Sequence, residues 1–427
     1  RFFDLNASRI NTAPDGSGKS LIGRMALQQL LSHLATVPSA APATHRAGEA
    51  PSAVFRAASC QLGGGVHGLT SAWAASEAAR DAVATVPENR WDARVEGRVT
   101  YGAFMHGFEL FDHNAFGLAP AEADIMDPHQ RLALESGYTA LHGAGVDRGA
   151  LMGSVTGVFA GIWASDYSAM LPKRGAASSG PFAMNSTGCA MLVGRMSYTL
   201  GLQGPSIPYD TACSSSLSAS HAALCALQRR ETDPALVLGV NVMCDSGMSK
   251  MFAASGSTSL TGKSYIFDSR ADGYARGEAC CSTVLQVGQS DWGVHCVAGA
   301  VRHDGRSASL TAPNGVAQQA LLRATLQLAG QTTAGAFLLE AHGTGTSLGD
   351  PIETRAIVAV RDEPQLLAAM GCKANFGHTE PAAGLTGVLR LCRAMQHAAQ
   401  APNAQLRAMN PHVNSAMREK QLSVLLV

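Results

Sequence analysis

The stretch Ala235–Met243, A-L-V-L-G-V-N-V-M, is apolar along almost its whole length and shows no polar alternation. A short run of that kind describes a strand buried on both faces, which belongs in a sheet covered by helices on each side. Its surroundings agree. Helices are predicted over Leu69–Val83, Asp127–Ala144, Ser186–Leu200 and Ser215–Gln228, with Asp127 as N-cap and Pro128 at the first helical position of the second. Strands are predicted over Val155–Trp163, Ser206–Thr211, Cys280–Val287 and Val294–Val301. A second series follows: helix Val316–Leu328, strand Ala336–Ala341, helix Pro351–Val360, strand Leu366–Lys373, helix Pro381–His397. Strands alternating with helices imply parallel or mixed sheets, and two such series imply a duplicated α/β architecture.

Of 427 residues, 46% are hydrophobic and 15% charged, enough for one large layered domain or two domains. Formal net charge is zero, which leaves no electrostatic footprint for nucleic acid or an anionic membrane surface. No apolar run approaches a membrane span, and no basic-then-apolar leader opens the chain. The ten cysteines contain no C-x-x-C pair, so they read as reduced thiols in a cytoplasmic or organelle-stromal protein that is not secreted. The start at Arg1 gives the expectation of a piece of a longer polypeptide. Residues 1–50 stand apart: a helix over Ser20–Leu34, then an Ala/Pro/Thr-rich linker over Pro38–Pro51. Ala13-Pro14-Asp15-Gly16-Ser17-Gly18-Lys19-Ser20 resembles a phosphate-binding loop. It lacks the first glycine, the preceding buried strand and a following acidic strand end, so a turn capping a helix is the better reading.

Cys213 lies in Asp210-Thr211-Ala212-Cys213-Ser214-Ser215-Ser216, where a short strand turns into a helix starting near Ser215. A helix start presents unpaired N–H groups and partial positive charge, which favour a thiolate and can hold an oxyanion. A buried structural cysteine is the plainer reading of that segment alone. Further on, two strands end in His342-Gly343-Thr344-Gly345-Thr346 and in Ala374-Asn375-Phe376-Gly377-His378, each with a helix behind. In open α/β sheets ligands collect at the carboxyl ends of strands, so both histidines would face one crevice. The threonine hydroxyls there could bond an elongated amide-bearing chain. No H-E-x-x-H or acidic cluster accompanies them, so no metal is expected. A cysteine protease needs a single histidine oriented by Asn or Asp, and this chain offers two, with Lys373 nearby.

The set D-T-A-C-S-S-S at 210–216, E-A-H-G-T-G-T at 340–346 and K-A-N-F-G-H-T-E at 373–380 resembles the β-ketoacyl synthases, and more specifically ketosynthase domains of modular or type I polyketide synthases. Asp127-Pro128-His129-Gln130-Arg131, Asp272-Gly273-Tyr274-Ala275-Arg276-Gly277-Glu278 and Leu310-Thr311-Ala312-Pro313-Asn314-Gly315 agree with it, and the resemblance covers roughly residues 51–417. It implies a thiolase-like, duplicated five-layer αβαβα fold and a homodimer with Ser186–Tyr198 near the contact. Residues 51–288 would form the half carrying the nucleophile, and 289–427 the half carrying the two histidines.

The resemblance also implies roles. Cys213 would accept the acyl chain from an acyl carrier protein. His342 and His378 would promote decarboxylation of a malonyl unit and stabilise the enolate, supported by Lys373. Thr344, Thr346 and Asn375 would bind substrate, the threonines through the 4′-phosphopantetheine arm. No cofactor would be held by the domain itself, and neighbouring synthase domains would be its partners. The reaction implied is decarboxylative Claisen condensation in polyketide biosynthesis. The alternatives are a fatty-acid β-ketoacyl synthase and a non-elongating domain that binds or transfers acyl chains. The family pattern continues past the second histidine into a G-F-G-G-T-N loop that the chain ends without. Truncation and a diverged domain with impaired condensation both explain that, and the non-methionine start favours truncation.

Overall fold

The computed structural model describes residues 52–97, 99–163, 165–172, 180–289, 292–333, 338–361, 367–419 and 424–426. The readings placed on residues 1–50 (the Ser20–Leu34 helix, the linker, the phosphate-loop-like turn) lie outside the described residues. The first half is built from strands β1 (Ala53–Leu62) and β2 (Val66–His67), helices α1 (Gly68–Glu77) and α2 (Pro128–Gly143), strand β3 (Gly157–Gly161) and helix α3 (Cys189–Leu200). Strand β4 (Ser206–Tyr209), helix α4 (Ser215–Gln228) and strands β5 (Ala235–Asn241), β6 (Ala279–Val287) and β7 (His295–Cys296) follow. Beyond them come α5 (Gly315–Leu328), β8 (Leu338–Glu340), α6 (Gly349–Ala359), β9 (Leu367–Met370), α7 (Lys373–Phe376), α8 (Ala383–Gln396), α9 (Pro411–Glu419) and β10 (Val424–Leu426).

Seven strands form one mixed sheet in the order β2-β1-β6-β5-β3-β4, with β7 pairing β1. Strand β3 runs parallel to both β4 and β5, while β6 is antiparallel to both β5 and β1. Strand β5 explains its own sequence. Leu236, Leu238 and Val240 enter a core shared with Leu132 and Leu141 of α2 and Met196 of α3. Ala235 and Val237 enter another, shared with Ala223 and Leu227 of α4 and Leu385 and Leu389 of α8. Each large side chain so buried stabilises the fold by about 1.5–3 kcal/mol. A polar residue on either face would forfeit that, so alternation is absent.

The second sheet, β8-β9-β10, is entirely parallel. Helix α8 lies between the two sheets: it packs on α4 and β6 on one side, and a Cβ on its Gly387 would meet Glu340 Cγ of β8 at 3.0 Å. On the far side of the second sheet, Val358 of α6 and Val413 of α9 join Ala341 and Ala369 in a third core. The layers are therefore helix, sheet, helix, sheet, helix, the thiolase-like arrangement. In the described residues the two sheets are unequal in size.

The helix starts in the central layer are pressed together. A Cβ on Gly384 would meet Leu217 Cγ at 2.4 Å, and one on Gly161 would meet Ser216 N at 2.3 Å. The Leu385 N–H donates to Ser216 Oγ (2.9 Å), so the first turns of α4 and α8 are bonded to each other. That contact carries the turn before α4 up against the turn before α8.

Several predicted strands are shorter than expected, Val155–Trp163 pairing only over Gly157–Gly161, and two others differ more. Of Val294–Val301 only His295 and Cys296 form ladder pairs, opposite Val54 and Ala53 at the start of β1, and the Val294 carbonyl accepts from Phe55 N–H (3.1 Å). Val297 and Val301 are exposed. Strand β9 stops at Met370, and Lys373 opens the one-turn helix α7 instead of ending a strand. The Cys372 N–H bonds the Glu340 carboxylate (2.5 Å), which turns the chain there. Among the described residues no helix is long and apolar enough to cross a membrane.

Candidate active site

Cys213 sits in a one-turn 3-10 segment, Ala212–Ser214, between β4 and α4. The hydroxyl-rich sequence stitches that turn. Asp210 Oδ1 accepts from Ala212 N–H (3.1 Å), Thr211 N–H donates to Ser215 Oγ (2.9 Å), and Ser215 Oγ donates to Ala212 O (2.6 Å). Ala212 is held at φ 53°, a left-handed conformation costing about 1–2 kcal/mol for a residue with a Cβ. The thiol is half-buried. Burial pushes its pKa above the ordinary value; Lys373 and Cys213's own N–H pull it down, and the Glu380 carboxylate pushes it up again. The thiolate expected from the helix start is therefore not the resting form, because desolvation outweighs the backbone dipole. Thiolate fraction below a pKa rises tenfold per pH unit. Alkylation of Cys213 by iodoacetamide should accordingly accelerate about tenfold per unit from pH 7 past pH 9, read by intact mass. A plateau below pH 8 would contradict it.

His342 follows β8 in a loop gripped from α6. The Glu353 carboxylate accepts from the N–H groups of His342 (2.6 Å) and Gly343 (2.9 Å), and Asp350 Oδ1 accepts from Gly345 N–H (3.1 Å). Burial raises both carboxyls, Asp350 to about 6. Lys373 is buried, and its ammonium donates to the His342 carbonyl oxygen (2.5 Å), tying α7 to this loop. The His342 side chain reaches solvent, yet protein surrounds it densely; desolvation, then the Lys373 charge, lowers its pKa, and water contact tempers that shift.

His378 is buried, its backbone bonded to Ala275 O (2.6 Å) and Gly277 N–H (2.8 Å). Its Nδ1 accepts from the Glu380 N–H (3.0 Å), which assigns the proton of the neutral ring to Nε2. Burial lowers its pKa well below the ordinary value, and Lys373, His342 and Arg276 lower it further. Both imidazoles are thus held neutral. Their rings stand 5.8 Å apart and nearly perpendicular, with the Tyr274 ring edge-on to His378 at 4.9 Å.

Cys213, His342 and His378 converge: the thiol sulfur and a nitrogen of each ring lie within 4.8 Å of one another. Such a trio could ligate a soft cation, but Lys373 lowers the basicity of both imidazoles and Arg276 adds positive charge beside His378, which opposes it. The remaining predicted residues lie outside the trio. Thr344 and Thr346 share a hydroxyl contact (3.2 Å), and Thr346 Oγ1 also accepts from Gly349 N–H (3.1 Å) at the start of α6. Asn375, expected at the substrate, is fully buried and donates to Arg80 O (3.0 Å), so its amide holds backbone.

Arg276 and Glu380 stand in two of the motifs quoted above, but the sequence gives neither a role. They form a fully buried two-pronged ion pair beside His378, with Arg276 also donating to Ser249 Oγ (2.5 Å). A signal for them exists: charged residues flanked by small ones in a buried stretch must find partners. Arg90 and Glu278 are a second such pair (2.9 Å), Glu278 also accepting from Met105 and Met243 N–H.

Residues 54–290 match the family described as "Beta-ketoacyl synthase, N-terminal domain", and residues 295–407 match "Beta-ketoacyl synthase, C-terminal domain". The chain is 39% identical over 378 residues to the phenolphthiocerol synthesis polyketide synthase type I Pks15/1 of Mycobacterium bovis, covering 83% of this chain and 18% of that protein. It is 38% identical over 360 residues to the polyketide synthase GfsB of Streptomyces halstedii, covering 79% of this chain and 6% of that one. The chain therefore spans less than a fifth of the length of either relative. Among solved structures, the ketosynthase from module 6 of the bacillaene synthase of Bacillus subtilis superposes with TM-score 0.78 at 30% identity, over 84% of this chain and 64% of that one. The oxazolomycin ketosynthase domain OzmH KS7 of Streptomyces albus gives 0.82 at 28%, over 88% and 70%.

Proposed function

The chain belongs to the β-ketoacyl synthase family, and on that premise we propose that it catalyses decarboxylative Claisen condensation in polyketide biosynthesis. The observation that carries the reading is the convergence of one thiol and two neutral imidazoles within 4.8 Å. Cys213, as thiolate, attacks the carbonyl of an acyl thioester on a carrier protein; the carrier's thiolate leaves and takes up a proton. A malonyl thioester on a carrier then loses carbon dioxide. The electron pair of the broken C–C bond passes into an enolate whose oxygen accepts bonds from His342 and from His378 Nε2–H. The enolate carbon attacks the Cys213 thioester, the new C–C bond forms, and Cys213 departs as thiolate.

Around this chemistry, Lys373 fixes the His342 loop, Thr344 and Thr346 meet the phosphopantetheine arm, and Asn375 serves the substrate site with its amide nitrogen anchored on Arg80 O. Residues 51–288 act as the half carrying the nucleophile and 289–427 as the half carrying the histidines. The domain works among neighbouring synthase domains in a cytoplasmic or stromal setting and pairs as a homodimer. The exposed Tyr198 of α3 and Ile207 of edge strand β4 support that pairing. The relatives named above are polyketide synthases, which favours that pathway over fatty-acid synthesis.

The test is incubation with an acyl thioester and malonyl-carrier protein. Intact mass should show an acyl adduct on the unmutated protein, none on Cys213→Ala, and a β-ketoacyl product on the carrier. Acylation without that product would overturn condensation and leave acyl transfer as the function.

A further inference from the structure

Glu340 ends β8 close before His342, and its one carboxylate joins that strand to two other elements. Its Oε1 accepts from the Cys372 N–H (2.5 Å), and its Oε2 accepts from the Arg390 guanidinium of α8 (3.3 Å). The Glu340 and Arg390 side chains are both buried. Gly387 of α8 leaves the room for this: a Cβ there would meet Glu340 Cγ at 3.0 Å. The ion pair alone says little, because desolvating two charges offsets much of their attraction. The bond to Cys372 is the contact with consequences for the site.

Helix α7 hangs from Cys372. The Cys372 carbonyl oxygen accepts from the N–H groups of Asn375 and Phe376 (3.0 Å each), while its N–H is held by Glu340. A one-turn helix has little stability of its own and takes its place from such anchors. Lys373 is the next residue, buried, and its ammonium donates to the His342 carbonyl oxygen (2.5 Å). That charge acts on the Cys213 thiol, on both imidazoles and on the Glu353 carboxylate. Arg276 also acts on His378, and Glu380 on Cys213, but those two are paired with each other. Away from water a charge is felt more strongly than in solution and in inverse proportion to distance, so the place of the ammonium matters to every reacting group.

We propose that Glu340 is a positioning residue. By accepting from the Cys372 N–H it sets where the Lys373 ammonium stands, and through it the field on the thiol and the two imidazoles. The proposal rests on the condensation reading only for its decarboxylation readout.

Two double variants that differ by one hydrogen-bond acceptor test it. Glu340→Leu/Arg390→Met removes both charges and leaves the Cys372 N–H without its partner. Glu340→Gln/Arg390→Met removes the same charges and keeps an amide oxygen free for that N–H. Carbon dioxide release from malonyl-carrier protein should fall about 10²-fold in the first, as a displacement of about 1 Å near reacting groups can cost. In the second it should recover to within a few-fold of the unmutated rate. Alkylation of Cys213 by iodoacetamide at pH 8 should slow in the first variant only, because the thiol there loses a nearby positive charge. Circular dichroism and urea midpoints report folding, which the loss of the ion pair affects alike in both. Equal carbon dioxide release in the two folded variants, or equal alkylation rates, overturns the role. A 10²-fold loss in the second variant, where the acceptor is kept, overturns it whether or not the first folds. Absence of carbon dioxide release from the unmutated protein counts instead against condensation, and alkylation then still decides the place of Glu340.

Discussion

His378→Ala leaves acyl transfer to Cys213 within a few-fold of the unmutated rate and slows release of carbon dioxide from malonyl-carrier protein by about 10²–10³-fold. The asymmetry follows from where charge develops. Acyl transfer needs the thiolate, whose energy is set by burial, Lys373 and the local backbone. Decarboxylation needs donors aimed at an enolate oxygen, and a donor already in place costs no reorganisation when the charge appears. His378 is such a donor because its Nδ1 is occupied by the Glu380 N–H and its proton is confined to Nε2. Its lowered pKa keeps it a neutral donor through the physiological range. His378→Asn retains a donor and should recover part of the lost rate. The readouts are ¹⁴C-carbon dioxide release and intact mass on the same preparations, with circular dichroism to show each variant folded. Parallel loss of both half-reactions would sink the division of labour.

The parts of this architecture that are legible in the sequence are those where local chemistry and tertiary packing agree. Helix α4 runs over Ser215–Gln228 as its pattern predicts, and α2 starts after Asp127 with its carboxylate bonded to the His129 N–H (2.8 Å), as an N-cap followed by proline implies. Where packing overrides local pattern, the sequence misleads. Val294–Val301 has the composition of a strand, but β1 bonds it only at Val294, His295 and Cys296. Lys373 resembles a strand end because apolar residues precede it, whereas Glu340 on the neighbouring strand turns the chain at Cys372. The thiolate expectation draws on the helix start and has no means to weigh burial. Asn375 shows the same limit: its amide suits ligand binding, and only the fold reveals that its nitrogen donates to Arg80 O while its Oδ1 has no partner among the described residues. Arg276 and Glu380, 104 residues apart, are legible singly and not as a pair.

That pair makes the largest stability prediction. Arg276→Met leaves Glu380 as an uncompensated buried carboxylate, which costs about 3–5 kcal/mol and should appear as a lower urea midpoint. Arg276→Met/Glu380→Met removes both charges and should recover most of the loss, since a buried pair replaced by apolar side chains is often neutral. The catalytic consequence is separable in the single variant. Arg276 lowers the pKa of His378, so replacing it and freeing Glu380 raises that pKa. A proton added at Nδ1 would face the Glu380 N–H and break the bond that aims Nε2. The acid limb of the decarboxylation profile should therefore move to higher pH in Arg276→Met. The sign for stability follows the same linkage. In the unmutated protein His378 has a folded pKa below its unfolded value of about 6.5, so its share of stability is present above that pH and lost as pH falls below it. In Arg276→Met that acid-side loss should shrink even as total stability falls. Urea midpoints for the two proteins at pH 7 and pH 5.5 distinguish this from a general loosening, which would leave the pH dependence unchanged.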